Sequence, residues 1–368
     1  MSRAPTEADA ERLLRLTLRL IDRPSVSGDE VAILDDLRAT MPASGLTIVD
    51  EADAVLFAVP TERRPGAPFV VLAGHVDTVP PNGNLPGRRE GDHAVGRGAA
   101  DMKGALAVMV DVAEAIADGR LASDLDVGLL LFGREELPIT ESALLPLFAR
   151  CPAARAIDLA IVMEPTANAI EVGCMGNINA RVVARGLAAH SARPWLGRNA
   201  IHALVDAFGP LTGLEPRDVE IDGLTYREVV SVTSIAGGIA RNVVPDLAEA
   251  SVNLRYAPDR TPSEAEAWLG ELLAGADVEV TVVGNAPPGP VAVRNPLVQR
   301  LRDAGDLPVG PKQAWTPVAE FASVGVDAVN FGPGDPQYAH RDDERVDGAS
   351  LVRSLEVLRA FLAAREDG

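Results

Sequence analysis

Short apolar runs bounded by turn residues alternate with amphipathic stretches through the first half of the chain. Between Glu7 and Ile21, Leu13, Leu14, Leu16, Leu18 and Ile21 fall among charges, which predicts a helix with one apolar face. Ser27-Gly28-Asp29-Glu30 has capping-box spacing, with Ser27 as the N-cap of a helix running to about Thr40. Ala54–Val59, Phe69–Ala73, Val127–Phe132 and Leu159–Met163 are apolar runs of strand length. The run at 69–73 shows no alternation, as expected of a strand buried on both faces. Helical patterns lie between these runs, from Asp101 to about Ala117 and from Glu141 to Ala149. Strands alternating with helices predict a doubly wound, mainly parallel α/β sheet.

The texture changes near Gly176. Asn179–Arg185 alternates, Arg198–Phe208 reads as helix, and Val229–Ile235 and Ala248–Arg255 read as strands. Pro262–Ala274 reads as helix and Val278–Val283 as strand, ahead of the breaker Asn285-Ala286-Pro287-Pro288-Gly289-Pro290. The order β-α-β-β-α-β is ferredoxin-like, with one covered sheet face. After it come a helix, a strand at Ala328–Phe331 and a last helix from about Gly348. The expected organisation is a catalytic domain of residues 1–176 and 288–368 interrupted by an inserted α+β domain of residues 177–287.

Charge narrows the function classes. The 34 basic and 53 acidic residues give a net charge of −19, which repels phosphate backbones and anionic lipid surfaces. Nucleic-acid and membrane partners are therefore not expected. No apolar run reaches the ~18 residues of a spanning helix. Glu7, Asp9 and Glu11 interrupt any leader-like stretch, and Cys151 and Cys174 alone make no disulfide framework. A cytoplasmic, acidic, multi-domain enzyme or binding protein is the expectation.

The informative residues are those that follow each buried strand. The 69–73 run leads into Gly74-His75-Val76-Asp77, the 101–117 helical pattern opens on Asp101, the 127–132 run is followed by Glu135-Glu136, and the 159–163 run by Glu164. In an open parallel sheet, ligands bind beyond the carboxyl ends of the strands, where these side chains would gather. Crowded carboxylates raise one another's pKa values, and a divalent cation removes that cost. Histidine with carboxylates and no thiolate is a donor set for zinc, cobalt or manganese. His340, after Gly332-Pro333-Gly334, is the natural further ligand, whereas His93 and His202 have no such setting.

GHVDTVP (Gly74–Pro80), GRGAADMKG (Gly96–Gly104), Glu135-Glu136, Glu164-Pro165-Thr166 and His340 together resemble a family of two-zinc amide hydrolases. The family includes desuccinylases, deacetylases, aminoacylases and glutamate-releasing carboxypeptidases. The resemblance implies that Asp101 bridges two zinc ions, with His75 and Glu164 completing one site and Glu136 and His340 the other. It implies that Asp77 orients His75 from behind and that Glu135 is the general base. It makes the insert a dimerisation and lid domain. In Ala189-His190-Ser191, His190 would stabilise the oxyanion in the partner subunit's site. Asn242, Arg255, Thr316 and Gly334 would contact substrate, Arg255 by a bidentate grip on a carboxylate.

Within that family the chain is most similar to succinyl-diaminopimelate desuccinylases of actinobacterial type, through HSARPWLGRNAIH (190–202), DGLTYRE (222–228) and NLRYAPDR (253–260). The implied reaction converts N-succinyl-LL-2,6-diaminopimelate to succinate and LL-diaminopimelate, a step toward lysine. Two departures leave other N-acyl amino acids, or carboxypeptidase action, open. Cys174-Met175-Gly176-Asn177 stands where many desuccinylases carry Arg-Arg-Gly-Ser, and Pro317 and Glu320 replace an acid and a base. Glu320 in particular, replacing a cation beside the site, would oppose a multiply anionic substrate.

Overall fold

A computed structural model describes residues 7–39 and 45–364. Thr40, the expected end of the second helix, lies outside them. The chain divides into two compact units, Met1–Val172 with Ala292–Gly310 and Glu320–Gly368, and Gly173–Val291 with Pro311–Ala319. The unit boundaries fall a few residues from the expected 176/177 and 287/288. Pro311–Ala319, read from sequence as catalytic domain, groups with the second unit instead. Its bonds explain why: Met175 N donates to Ala314 O at 3.1 Å, and Trp315 Nε1 to Pro287 O at 3.1 Å.

The first unit is built on an eight-stranded mixed sheet. Its order is Leu46–Asp50, Val55–Pro60, Asp126–Phe132, Phe69–His75, Leu159–Val162, Ala328–Asn330, Ile170–Val172 and Val309–Pro311. The central neighbours from Asp126–Phe132 to Ala328–Asn330 run parallel. Phe69–His75 and Asp126–Phe132 are buried at every position, which accounts for their unbroken apolar runs. Register sets the functional edge: His75 pairs with Phe132, and Ala73 with Val162. The first two strands therefore stop at one level and Leu159–Val162 two residues short of it, so that Glu164, two residues on, emerges at the same edge. Gly332 follows the 328–330 strand and passes so close to the Met163-Glu164 backbone that a Cβ would lie 2.4 Å from Met163 O.

Helix Gly104–Ala117 is buried along nearly its whole length. The sequence pattern places its start at Asp101, but Ala99–Lys103 forms a separate, wider turn. Inside it, Asp101 (φ −123°, ψ 88°) and Met102 (φ −136°, ψ 36°) leave helical geometry. Asp101 thus sits on an irregular turn ahead of the helix.

The second unit carries strands Gly176–Arg185, Leu224–Gly237, Leu247–Tyr256 and Glu279–Ala286 with helices Ala200–Thr212 and Pro262–Leu272. The strand order is 224–237, 247–256, 176–185, 279–286, the ferredoxin-like arrangement. Ile178, Ala180 and Val182 pack with Leu204, Phe208, Leu254 and Leu269 into a core on the helix-covered face. A further strand, Arg217–Ile221, joins Leu224 through a two-residue turn. Asp222 (φ 48°) and Gly223 (φ 80°) both take positive φ, the geometry that favours Asp-Gly in tight hairpins.

Candidate metal centre

His75 closes its strand almost wholly buried, with Nε2 2.9 Å from Asp101 Oδ1 and 4.0 Å from Glu164 Oε1. On the other side of Asp101, His340 Nε2 lies 3.5 Å from Oδ2 and 2.9 Å from Glu136 Oε1. Two trios result, His75–Asp101–Glu164 and Asp101–Glu136–His340, each with donor atoms within 4.8 Å of one another. They share Asp101. His340 is half-exposed and adopts φ 64°.

Electrostatics show what this packing costs. Burial by itself would lower the His75 pKa, but hydrogen bonds to Asp101 and Asp77 raise it well above the ordinary range. His340 is lifted to about 10, first by its hydrogen bonds to Asp101 and Glu136. Burial tends to raise Asp101, yet the two histidines hold it below the usual carboxylate range. Glu135, beside but outside both trios, is pushed well above that range, chiefly by burial and then by the charge of Glu164. The donor set fits two divalent cations. Each trio offers one imidazole and two carboxylates, neither contains a thiolate, and the positive charge of two cations would balance the three converging carboxylates.

Asp77 is the hub behind the two trios. Its carbonyl lies 3.0 Å from His75 Nδ1, closer than its carboxylate at 3.6 Å. The carboxylate accepts the backbone N–H groups of Glu135 and Glu136, each at 3.2 Å, and the Ser27 hydroxyl at 2.7 Å. Ser27 is therefore no helix cap. The helix begins at Val31, its N-cap Glu30 makes no side-chain cap, and Glu30 Oε1 instead accepts from Gly28 N. The tertiary bond to Asp77 displaces the local one. Sequence reasoning also passed over Arg97 and Glu344, a buried ion pair at 2.9 Å whose Glu344 Oε1 accepts from Ala100 N and Asp101 N.

The other expected site residues fall in two places. Gly334 lies in the first unit at φ 86°, donating N–H to Ser350 Oγ and accepting from Ala167 N. His190, Asn242, Arg255 and Thr316 belong to the second unit. His190 pairs with Val243, Ser191 N donates to Asn242 O, and Ala192 N donates to His190 Nδ1 at 3.0 Å. Arg255 is part-buried, donates Nε to Asn253 Oδ1 and has no carboxylate partner among the described residues. Thr316 is buried, its carbonyl facing the Cys174 thiol. Glu320, expected to oppose an anionic substrate, is 3% exposed, and its carboxylate accepts from Ser142 Oγ.

The model for peptidase family M20/M25/M40 matches residues 71–364, the stretch that contains both trios. The chain belongs to that family. A Mycobacterium tuberculosis (strain H37Rv) protein provisionally named succinyl-diaminopimelate desuccinylase DapE is 40% identical over 351 residues, covering 95% of this chain and 97% of its own. Succinyl-diaminopimelate desuccinylase of Corynebacterium glutamicum is 37% identical over 355 residues, covering 95% of each. Among solved structures, a Staphylococcus aureus tripeptidase matches with TM-score 0.79 at 19% identity, over 96% of this chain and 97% of that one, a likeness of fold. Family and relatives make this chain a metal-dependent amide hydrolase acting on a small molecule. Among the described residues, no helix is long and apolar enough to cross a membrane.

Proposed function

We propose that this M20 chain hydrolyses the amide bond of N-succinyl-LL-2,6-diaminopimelate, releasing succinate and LL-diaminopimelate, as a homodimer that holds two zinc ions per chain. The observation that carries the chemistry is the pair of trios sharing Asp101, with the high-pKa carboxyl of Glu135 beside them. Similarity to the desuccinylases at 37–40% identity supports the substrate. The burial of Glu320 against Ser142 removes the main sequence objection to it.

His75 and Glu164 would hold one ion, Glu136 and His340 the other, and Asp101 both. Bound there, the ions supply Lewis-acid activation of water and carbonyl. The protein's own groups do the rest. Glu135 takes a proton from the attacking water onto its carboxylate and delivers it to the departing amine nitrogen. The Ala192 N–H on Nδ1 of His190 fixes the tautomer, so Nε2 carries a proton to donate to the developing oxyanion. Arg255, lacking an acidic partner of its own among the described residues, meets a substrate carboxylate. Asn242, Thr316 and Gly334 are the further substrate contacts that the family resemblance implies.

The dimer is supported by an open edge. The 224–237 strand pairs with 217–221 only along Leu224–Glu228, and beyond that it exposes Val232 and Ile235. The test is succinate release from N-succinyl-LL-2,6-diaminopimelate by zinc-loaded protein, with Glu135→Gln as blank. A kcat/KM above ~10⁴ M⁻¹s⁻¹ is expected. No turnover by protein carrying two zinc ions per chain would refute this substrate.

A further inference from the structure

The second trio poses a mechanical problem. His340 is half-exposed on a loop, and Asp101 sits on a turn outside regular helix, so neither element alone fixes one relative to the other. A single buried ion pair does so. Arg97 (4% exposed) and Glu344 (1%) meet at 2.9 Å between Nη1 and Oε2. The other carboxylate oxygen of Glu344 accepts the backbone N–H of Ala100 at 3.2 Å and of Asp101 at 3.1 Å, gripping the Asp101 turn by its main chain. Arg97 Nη1 also reaches the carbonyl of Arg341, the residue after His340, at 3.4 Å. Two further bonds close the ring: Asn84 Nδ2 donates to the same Arg341 carbonyl at 3.3 Å, and Gly96 N to Glu344 O at 3.0 Å.

We infer that Arg97 and Glu344 are positioning residues for the second cation, holding the His340 loop and the Asp101 turn at one fixed separation. The inference rests on the two-cation reading above. A buried ion pair whose carboxylate is engaged through both oxygens is held in one geometry, and taking one partner away leaves the other charged and uncompensated. The Asp101–Glu136–His340 trio depends on this brace at two of its three members. The His75–Asp101–Glu164 trio depends on it at Asp101 alone, since His75 ends a central strand and Glu164 follows its neighbour.

The experiment titrates metal-free full-length protein with Co(II), following visible absorbance and counting bound ions by equilibrium dialysis. Wild type, Glu344→Gln and Arg97→Lys are compared. Wild type is expected to bind two ions. Both variants should keep one tight ion and lose about 10–100-fold in affinity for the second, the range seen when groups supporting a ligand are removed. Should Glu344→Gln fail to fold, Arg97→Lys, which keeps a buried cation, makes the same comparison. Folded variants that bind both ions as wild type does, or that lose both equally, would overturn the positioning role. A wild type that binds no ion would instead overturn the two-cation reading, and this inference with it.

Discussion

Replacing Glu320 with glutamine should stabilise the protein, and only above mildly acidic pH. Glu320 is almost wholly buried, and its carboxylate has the Ser142 hydroxyl as hydrogen-bond donor. Burial raises its pKa from 4.5 to about 7, against the opposing hydrogen bond from Ser142. Below pH 4.5 folded and unfolded chains both hold the proton, and the residue contributes no pH dependence. Between 4.5 and 7 the folded chain keeps a proton that the unfolded chain has released, so stability falls as pH rises. Above about 7 the loss is complete. At about 1.4 kcal/mol per pH unit it amounts to roughly 3 kcal/mol. A glutamine side chain in its place would retain an acceptor for Ser142 and carry no charge. For a folding unit of roughly 150–250 residues, each kcal/mol moves Tm by about 2–4 °C, so the gain at pH ~8 is on the order of 6–12 °C. Tm of metal-free wild type and Glu320→Gln, measured from about pH 5 to pH 8.5, tests this. A difference that does not grow with pH, or a variant less stable at the alkaline end, would refute the reasoning.

Three further outcomes are expected. Glu135→Gln should lower kcat by about 10²–10⁴-fold with two ions still bound, as assayed by product release alongside metal analysis. His190→Ala should lower kcat by about 10²–10³-fold at unchanged metal content, and sedimentation should show a dimer for both proteins. Asp101→Asn, which alters the ligand common to both trios, should lose both ions in equilibrium dialysis; retention of either at wild-type affinity would contradict the shared role.

Much of the frame is legible because buried parallel strands leave unbroken apolar runs. The residues that follow them are gathered by register rather than by local sequence. His75, Glu136 and Glu164 could be grouped in that way. The apolar pattern after Met102 reads smoothly as helix and conceals the irregular turn that carries Asp101. Ser27 shows a local rule losing to a tertiary partner, since its capping-box spacing is sound but Asp77, fifty residues away, takes its hydroxyl. Glu344 lies in Arg341-Asp342-Asp343-Glu344-Arg345, which reads as a solvated charge run, and nothing in that run marks one member as buried. Glu320 misled for the same reason: charge is visible in a sequence, but burial of a charge is not. Arg217–Ile221 was readable in principle from the Asp-Gly that follows it.

The grip of Asp77 on the Glu135-Glu136 turn has an evolutionary reading. Its carboxylate holds main-chain N–H groups, which every residue except proline supplies. The shape of the turn is therefore inherited separately from the side chains displayed on it. A lineage can exchange the residue at 135 or at 136 without rebuilding the support beneath them. New chemistry at this edge then arises by single substitutions on a standing frame, a route open to any descendant that keeps Ser27 and Asp77.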